Sequence, residues 1–189
     1  MKVQPQLLGL ALALLGFAAP ASAQGQGSGL ANEHPSSLSA GYEVVRDSGL
    51  WFPVGIYVDF AVGIQKNLSV VGEFNDAFKN VTSSGIPVNL SVSEFVGGVR
   101  FSATNSKQVT PFFQALLGLG RLGGGGSVSG VNASVSSSGA AFDFGGGADI
   151  KAGRKSAVRV AAGLRHLSSS LGSANEFYMK FGISFTTRK

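Results

Sequence analysis

The chain has 189 residues, of which 44% are hydrophobic and only 13% charged, a balance that excludes a disordered chain and fits one ordered domain. It contains no cysteine, which excludes a disulfide framework, thiol catalysis and a Cys-ligated metal. The formal net charge of +5 is scattered and forms no basic stripe, so it favours anionic lipid or lipopolysaccharide and gives no ground for nucleic acid.

Residues 1–23 place Lys2 before an apolar run from Leu7 to Ala19 and end on Ala21-Ser22-Ala23, the order of a secretory signal peptide with a small-residue cleavage site. The run is broken by Gly9, Gly16 and Pro20 and falls short of the roughly 20 apolar residues of a membrane helix. Cleavage after Ala23 removes Lys2, and no later stretch is long and apolar enough for a helical anchor. Residues 24–37, QGQGSGLANEHPSS, are small, polar and aperiodic, and read as a flexible periplasmic lead-in to a domain at 38–189.

From there the dominant signal is alternation with a period of two, the mark of strands with two different faces. It is clearest where Val54, Ile56, Val58, Phe60, Val62 and Ile64 alternate with Gly55, Tyr57, Asp59, Ala61 and Gly63. A helix would scatter these apolar residues, whereas a strand gathers them into one wall. Strands are expected near 38–46, 53–64, 68–76, 91–103, 109–121, 141–151, 157–166 and 176–186. The connections QKN, TNSKQ and GRKS are short, whereas 47–52, 77–90, 122–140 and 167–175 are longer and rich in Ser and Gly. Short turns at one end and long loops at the other predict an up-and-down barrel with the short turns in the periplasm. Gly123 to Ser138, almost all Gly, Ser and Val, reads as a mobile external loop.

Strand parity puts Phe60, Phe74, Phe95, Phe101, Phe113, Phe142, Phe144, Phe177, Phe181 and Phe185 on the apolar face. Eight strands enclose room for ordinary side chains or one small ligand, so ten phenylalanines pointing inward would overfill the barrel. Facing hydrocarbon, they have no such limit. The expected fold is therefore all-β: an eight-stranded antiparallel up-and-down transmembrane β-barrel of the bacterial outer membrane. A soluble lipocalin-like ligand-binding barrel, apolar inside, is the alternative. The opposite face carries Glu43, Asp59, Glu73, Glu94, Asp143 and Asp149 with Arg100, Arg159, Arg165, Lys180 and Gln114, a mixed set able to pair into a salt-bridged lumen. The competing reading is a loosely hydrated interior without defined pairs, since register is not legible here.

From about Ser39 to Phe185 the chain resembles the small outer-membrane barrels of the OmpA-like, porin-related family, through its signal peptide, hairpin rhythm, Gly-aromatic strands and last strand YMKFGISF. The resemblance implies that the barrel-assembly machinery reads Lys180, Gly182, Ile183 and Phe185 during biogenesis, although the family usually ends on the aromatic residue and this chain runs on to Lys189. It also implies a non-enzymatic role in envelope structure, adhesion or a narrow pore, with no cofactor.

One motif points elsewhere. His166-Leu167-Ser168 resembles the His-x-Ser motif of the lipid A deacylases, which are also eight-stranded outer-membrane barrels. That resemblance implies a membrane esterase in which His166 activates Ser168 and Glu176 orients the histidine. Parity turns Glu176 inward and His166 outward, and Ser169 stands where that family has Asn. The alternative is a histidine of the interfacial girdle. Gly118-x-Gly120-x-x-Gly123 matches a dinucleotide fingerprint in letters, but GGGGSVSG starts no helix to face a pyrophosphate, so no nucleotide is expected. With His34 and His166 the only histidines, no metal site is expected. The Asn-x-Ser/Thr triplets at Asn67, Asn80, Asn89 and Asn132 carry no glycosylation meaning in a bacterial barrel.

Overall fold

The computed structural model describes residues 36–47, 49–83, 86–103, 108–128, 131–170 and 172–187. The signal segment with Ala21 and Ala23, and the lead-in up to residue 35, lie outside the described residues. Eight strands follow in order: β1 (Ser36–Asp47), β2 (Leu50–Gln65), β3 (Leu68–Ser83), β4 (Ile86–Ser102), β5 (Val109–Val128), β6 (Val131–Lys151), β7 (Ser156–Ser169) and β8 (Gly172–Thr187). Each pairs antiparallel with its neighbour, and β8 returns to β1 through Ser36↔Thr187 to Asp47↔Glu176, closing the barrel. Closure leaves no unpaired edge along the membrane span, where hydrocarbon offers backbone groups no alternative partner.

All eight expected strands are present, and most extend further than alternation suggested. The long loops expected near 77–90 and 122–140 are largely strand, and the loop expected at Gly123 to Ser138 is a paired hairpin, from Gly123↔Ser136 to Val128↔Val131. The reason is local. Alternation disappears where neither face meets hydrocarbon or a packed core, yet backbone groups still pair, and Gly and Ser obstruct nothing.

These extensions make the rim uneven. The last β2–β3 pair is Val54↔Phe78 and the last β6–β7 pair is Gly139↔Ser169. β3 through β6 continue past both, as Ser83↔Ile86, Val88↔Gly126 and Val128↔Val131 show. Val131–Ser138 alone adds about 26 Å of strand at ~3.3 Å per residue. A four-stranded wall therefore stands above one side of the end opposite the termini.

The outer surface is an apolar belt in which Phe60, Phe95, Leu117, Leu119, Phe144 and Leu164 are each more than half exposed. Facing lipid, each such side chain gains roughly 1.5–3 kcal/mol over facing water. Above the row Phe74↔Phe95↔Leu119 the next outward row is polar, Asp76↔Ser93↔Arg121↔Ser138, which marks the upper border of the belt. The lumen holds the buried charges. This distribution is the inverse of a soluble ligand-binding barrel and removes the lipocalin-like alternative.

Candidate functional site

The lumen is built from inward-facing positions on all eight strands and divides into layers. Nearest the termini, Asp59 on β2, Arg100 on β4, Asp149 on β6 and Arg159 on β7 form a balanced tier. Arg159 grips Asp149 as a fork, with Nε to Oδ1 and Nη2 to Oδ2 both 2.7 Å, and its Nη1 also bonds Asp59 Oδ2. Arg100 reaches the other oxygen of Asp59 at 3.2 Å and donates to Gln114 Oε1 from Nε at 2.9 Å and Nη2 at 2.6 Å. The ring of Phe112 lies 4.7 Å from the Arg100 guanidinium and 4.9 Å from that of Arg159, adding cation–π attraction where water is excluded. Two acids meet two guanidiniums, and planar forks suit buried pairs because both carboxylate oxygens find donors.

The middle tier is rich in acid. Glu43, Glu73, Glu94, Asp143 and Glu176 share two cations, Arg165 and Lys180. Arg165 lies 2.7 Å from Glu43, 2.5 Å from Glu94, 3.4 Å from Glu176 and 3.8 Å from Asp143. Lys180 bonds Glu73 and stands 3.7 Å from Glu43 and 3.9 Å from Asp143. Tyr178 donates to Asp143 at 2.7 Å, and Asn75 bridges Glu73 at 3.0 Å and Glu94 at 3.3 Å. Gln114 ties the tiers together by donating to Glu73 Oε2 at 3.3 Å. The demand exceeds the supply: Glu43 Oε2, Glu94 Oε1, Asp143 Oδ2 and Glu176 Oε1 are buried with no protein hydrogen-bond partner.

Glycines make room for the aromatic walls of this tier. Tyr178 lies over the cross-strand pair Gly145↔Gly163, and a Cβ added at either glycine would overlap its hydroxyl. Tyr57 lies over Gly182 in the same way. Gly182 and Lys180 thus face the lumen, while Ile183 and Phe185 face outward. Beyond this tier, Val45, Phe52, Ala77, Val92, Leu167 and Ala174 form a buried apolar plug. Phe52 turns inward because β2 bulges at Pro53–Val54, two residues opposing Val44 alone, so that Val45 pairs with Phe52 and the parity of that end of β2 is reversed. Neither this plug nor Phe112 was visible to pattern reading. Glu176 was, since its parity points inward.

That position decides the geometry around His166. Glu176 is committed to Arg165 inside the barrel, while His166 stands outside, its Nδ1 2.8 Å from Asn175 Oδ1 across the β7–β8 pair His166↔Asn175. An amide oxygen only accepts, so Nδ1 carries the proton. The structure does not bring His166, Ser168 and Glu176 together as a triad. Gly118, Gly120 and Gly123 lie along β5.

The closed eight-strand barrel has counterparts of the same fold among solved structures. Ail, the attachment invasion locus protein of Yersinia pestis, superposes with a TM-score of 0.61 over 82% of this chain and 99% of that one, at 17% identity. Neisserial surface protein A superposes with a TM-score of 0.60 over 80% and 96%, at 10% identity. The chain has the fold of the small outer-membrane β-barrels. At these identities the likeness carries the fold alone. No protein-family model and no curated protein matches the sequence. The fold and the apolar belt together seat this outer-membrane barrel in the bacterial outer membrane.

Proposed function

We propose that this barrel is a non-enzymatic surface-attachment protein, in which a rigid, plugged membrane cylinder carries a projecting β-sheet that binds an extended polypeptide. The carrying observation is the wall of β3 to β6. Among the described residues, Val131–Ser138 pairs only with β5 and Lys79–Ser83 only with β4, so both flanks present a strand edge above the rim. A free edge is a template for strand addition, with backbone bonds supplying affinity. Outer-membrane barrels keep short turns in the periplasm and longer excursions outside, which puts the wall on the cell exterior. Ail, the attachment invasion locus protein, forms a complex with the heparin analogue sucrose octasulfate. The wall here is nearly uncharged, which favours a peptide over a sulfated sugar as the partner of this chain.

The filled lumen speaks against conduction, and the separation of Glu176 from His166 against ester hydrolysis. During biogenesis the partner is the barrel-assembly machinery, reading Lys180, Gly182, Ile183 and Phe185 on β8. In place, the partners are outer-membrane lipid and lipopolysaccharide.

The test is adhesion of cells displaying the full chain to protein-coated surfaces, against a variant in which Leu122–Ser138 is replaced by a two-residue turn. Loss of adhesion with normal heat-modifiable gel migration is expected. Equal adhesion of the two, or large stable conductance in planar bilayers, would overturn the reading.

A further inference from the structure

The outer wall of β6, β7, β8 and β1 carries a groove of about 660 Å³ just below the external rim. Register explains its composition. One outward row runs Phe144↔Leu164↔Phe177↔Arg46↔Trp51 across five strands, and the row above it runs Phe142↔His166↔Asn175. Arg46 therefore sits within an apolar row at the height where the belt gives way to polar residues. Its guanidinium lies 5.4 Å from the Trp51 ring, and among the described residues it forms no ion pair with a carboxylate. A charge on a lipid-facing row is costly unless an anion meets it. His166, held through Nδ1 by Asn175, lines the same groove.

The outer leaflet of this membrane is built from a glycolipid whose headgroup is a phosphorylated disaccharide and whose tails are several acyl chains. Arginine pairs with phosphate through a fork of N–H donors, and phenylalanine and leucine side chains match acyl tails. We propose that the groove is a binding site for one molecule of this lipid A. A sugar phosphate pairs with Arg46, acyl chains lie along Phe144, Leu164 and Phe177, and the His166–Asn175 pair contacts the sugar. The proposal rests on the outer-membrane reading with the wall outside, because that orientation alone puts the groove in the lipid A leaflet.

Trp51 is the only tryptophan and touches Arg46, so its emission reports on the site. The mature protein, folded in lipid-free detergent micelles, is titrated with diphosphoryl lipid A, dephosphorylated lipid A and phosphatidylglycerol, and retained lipids are counted by native mass spectrometry. Diphosphoryl lipid A should bind saturably at one per barrel, and both phosphate removal and Arg46→Ala should weaken binding about tenfold. The two changes together should weaken it no further than either alone. Leu164→Ser should weaken all acylated ligands alike. Equal binding of phosphatidylglycerol, or wild-type retention by both variants, would overturn the site. Membrane fractionation separates the two levels: a chain absent from the outer membrane refutes the localisation reading, while the micelle titration still judges the groove.

Discussion

The two ionic tiers of the lumen solve the same problem with different stoichiometry. Near the termini, Asp59 and Asp149 meet Arg100 and Arg159, and both oxygens of each carboxylate are held. One level further in, five carboxylates share Arg165 and Lys180, and four of their buried oxygens lack a hydrogen-bond partner. Arg165 Nε sits 2.5 Å from Glu94 Oε2 yet without the alignment of a hydrogen bond. The difference teaches that charge inside a barrel need not be neutralised pair by pair. A few cations placed centrally can hold a surplus of acid, and the whole arrangement then depends on them.

The largest expected effect follows from that dependence. Arg165→Met would strand Glu43, Glu94, Asp143 and Glu176 together and should destabilise the barrel by about 3–5 kcal/mol. Arg159→Met leaves Asp59 with Arg100 and should cost less, about 2–3 kcal/mol. Urea unfolding in lipid vesicles, followed by Trp51 emission, measures both, and equal losses would erase the distinction between the tiers. Gly163→Ala tests the packing that encloses the acid-rich tier. Its Cβ overlaps Tyr178 and also meets the Phe144 carbonyl oxygen at 2.6 Å, so a loss of about 1–3 kcal/mol is expected, only part of it recovered when Tyr178→Leu is made alongside. The smallest effect is also the sharpest comparison. Glu94→Gln lightens a surplus and should stay within about 1 kcal/mol of the parent or gain stability. Asp149→Asn breaks a satisfied fork and should lose about 1–3 kcal/mol. The reverse order would show that the middle tier is not overloaded.

How much of this was readable beforehand varies by element. The outward phenylalanines of β2, β4 and β6, and the inward Asp59, Glu94, Asp143 and Arg165, follow from alternation, because a period of two assigns each side chain a face without knowledge of its neighbours. Glu176 was assignable inward by the same rule. Phe52 was not, since a bulge on β2 at Pro53–Val54 reverses its face. The Gly123–Ser138 hairpin has the sequence of a loop because Gly and Ser carry no facial pattern, although their backbone pairs as well as any.

The sequence by itself determined a cysteine-free chain of eight alternating strands with apolar side chains on one face and acids on the other, since those properties are local and repeat at a fixed spacing. Only the tertiary structure decided which acid meets which cation, that the lumen splits into a balanced and an overloaded tier, that four strands rise above the rim, and that Arg46 stands among phenylalanines. Each of these is a relation between strands, set by register and closure, and a one-residue slip would have rearranged them all.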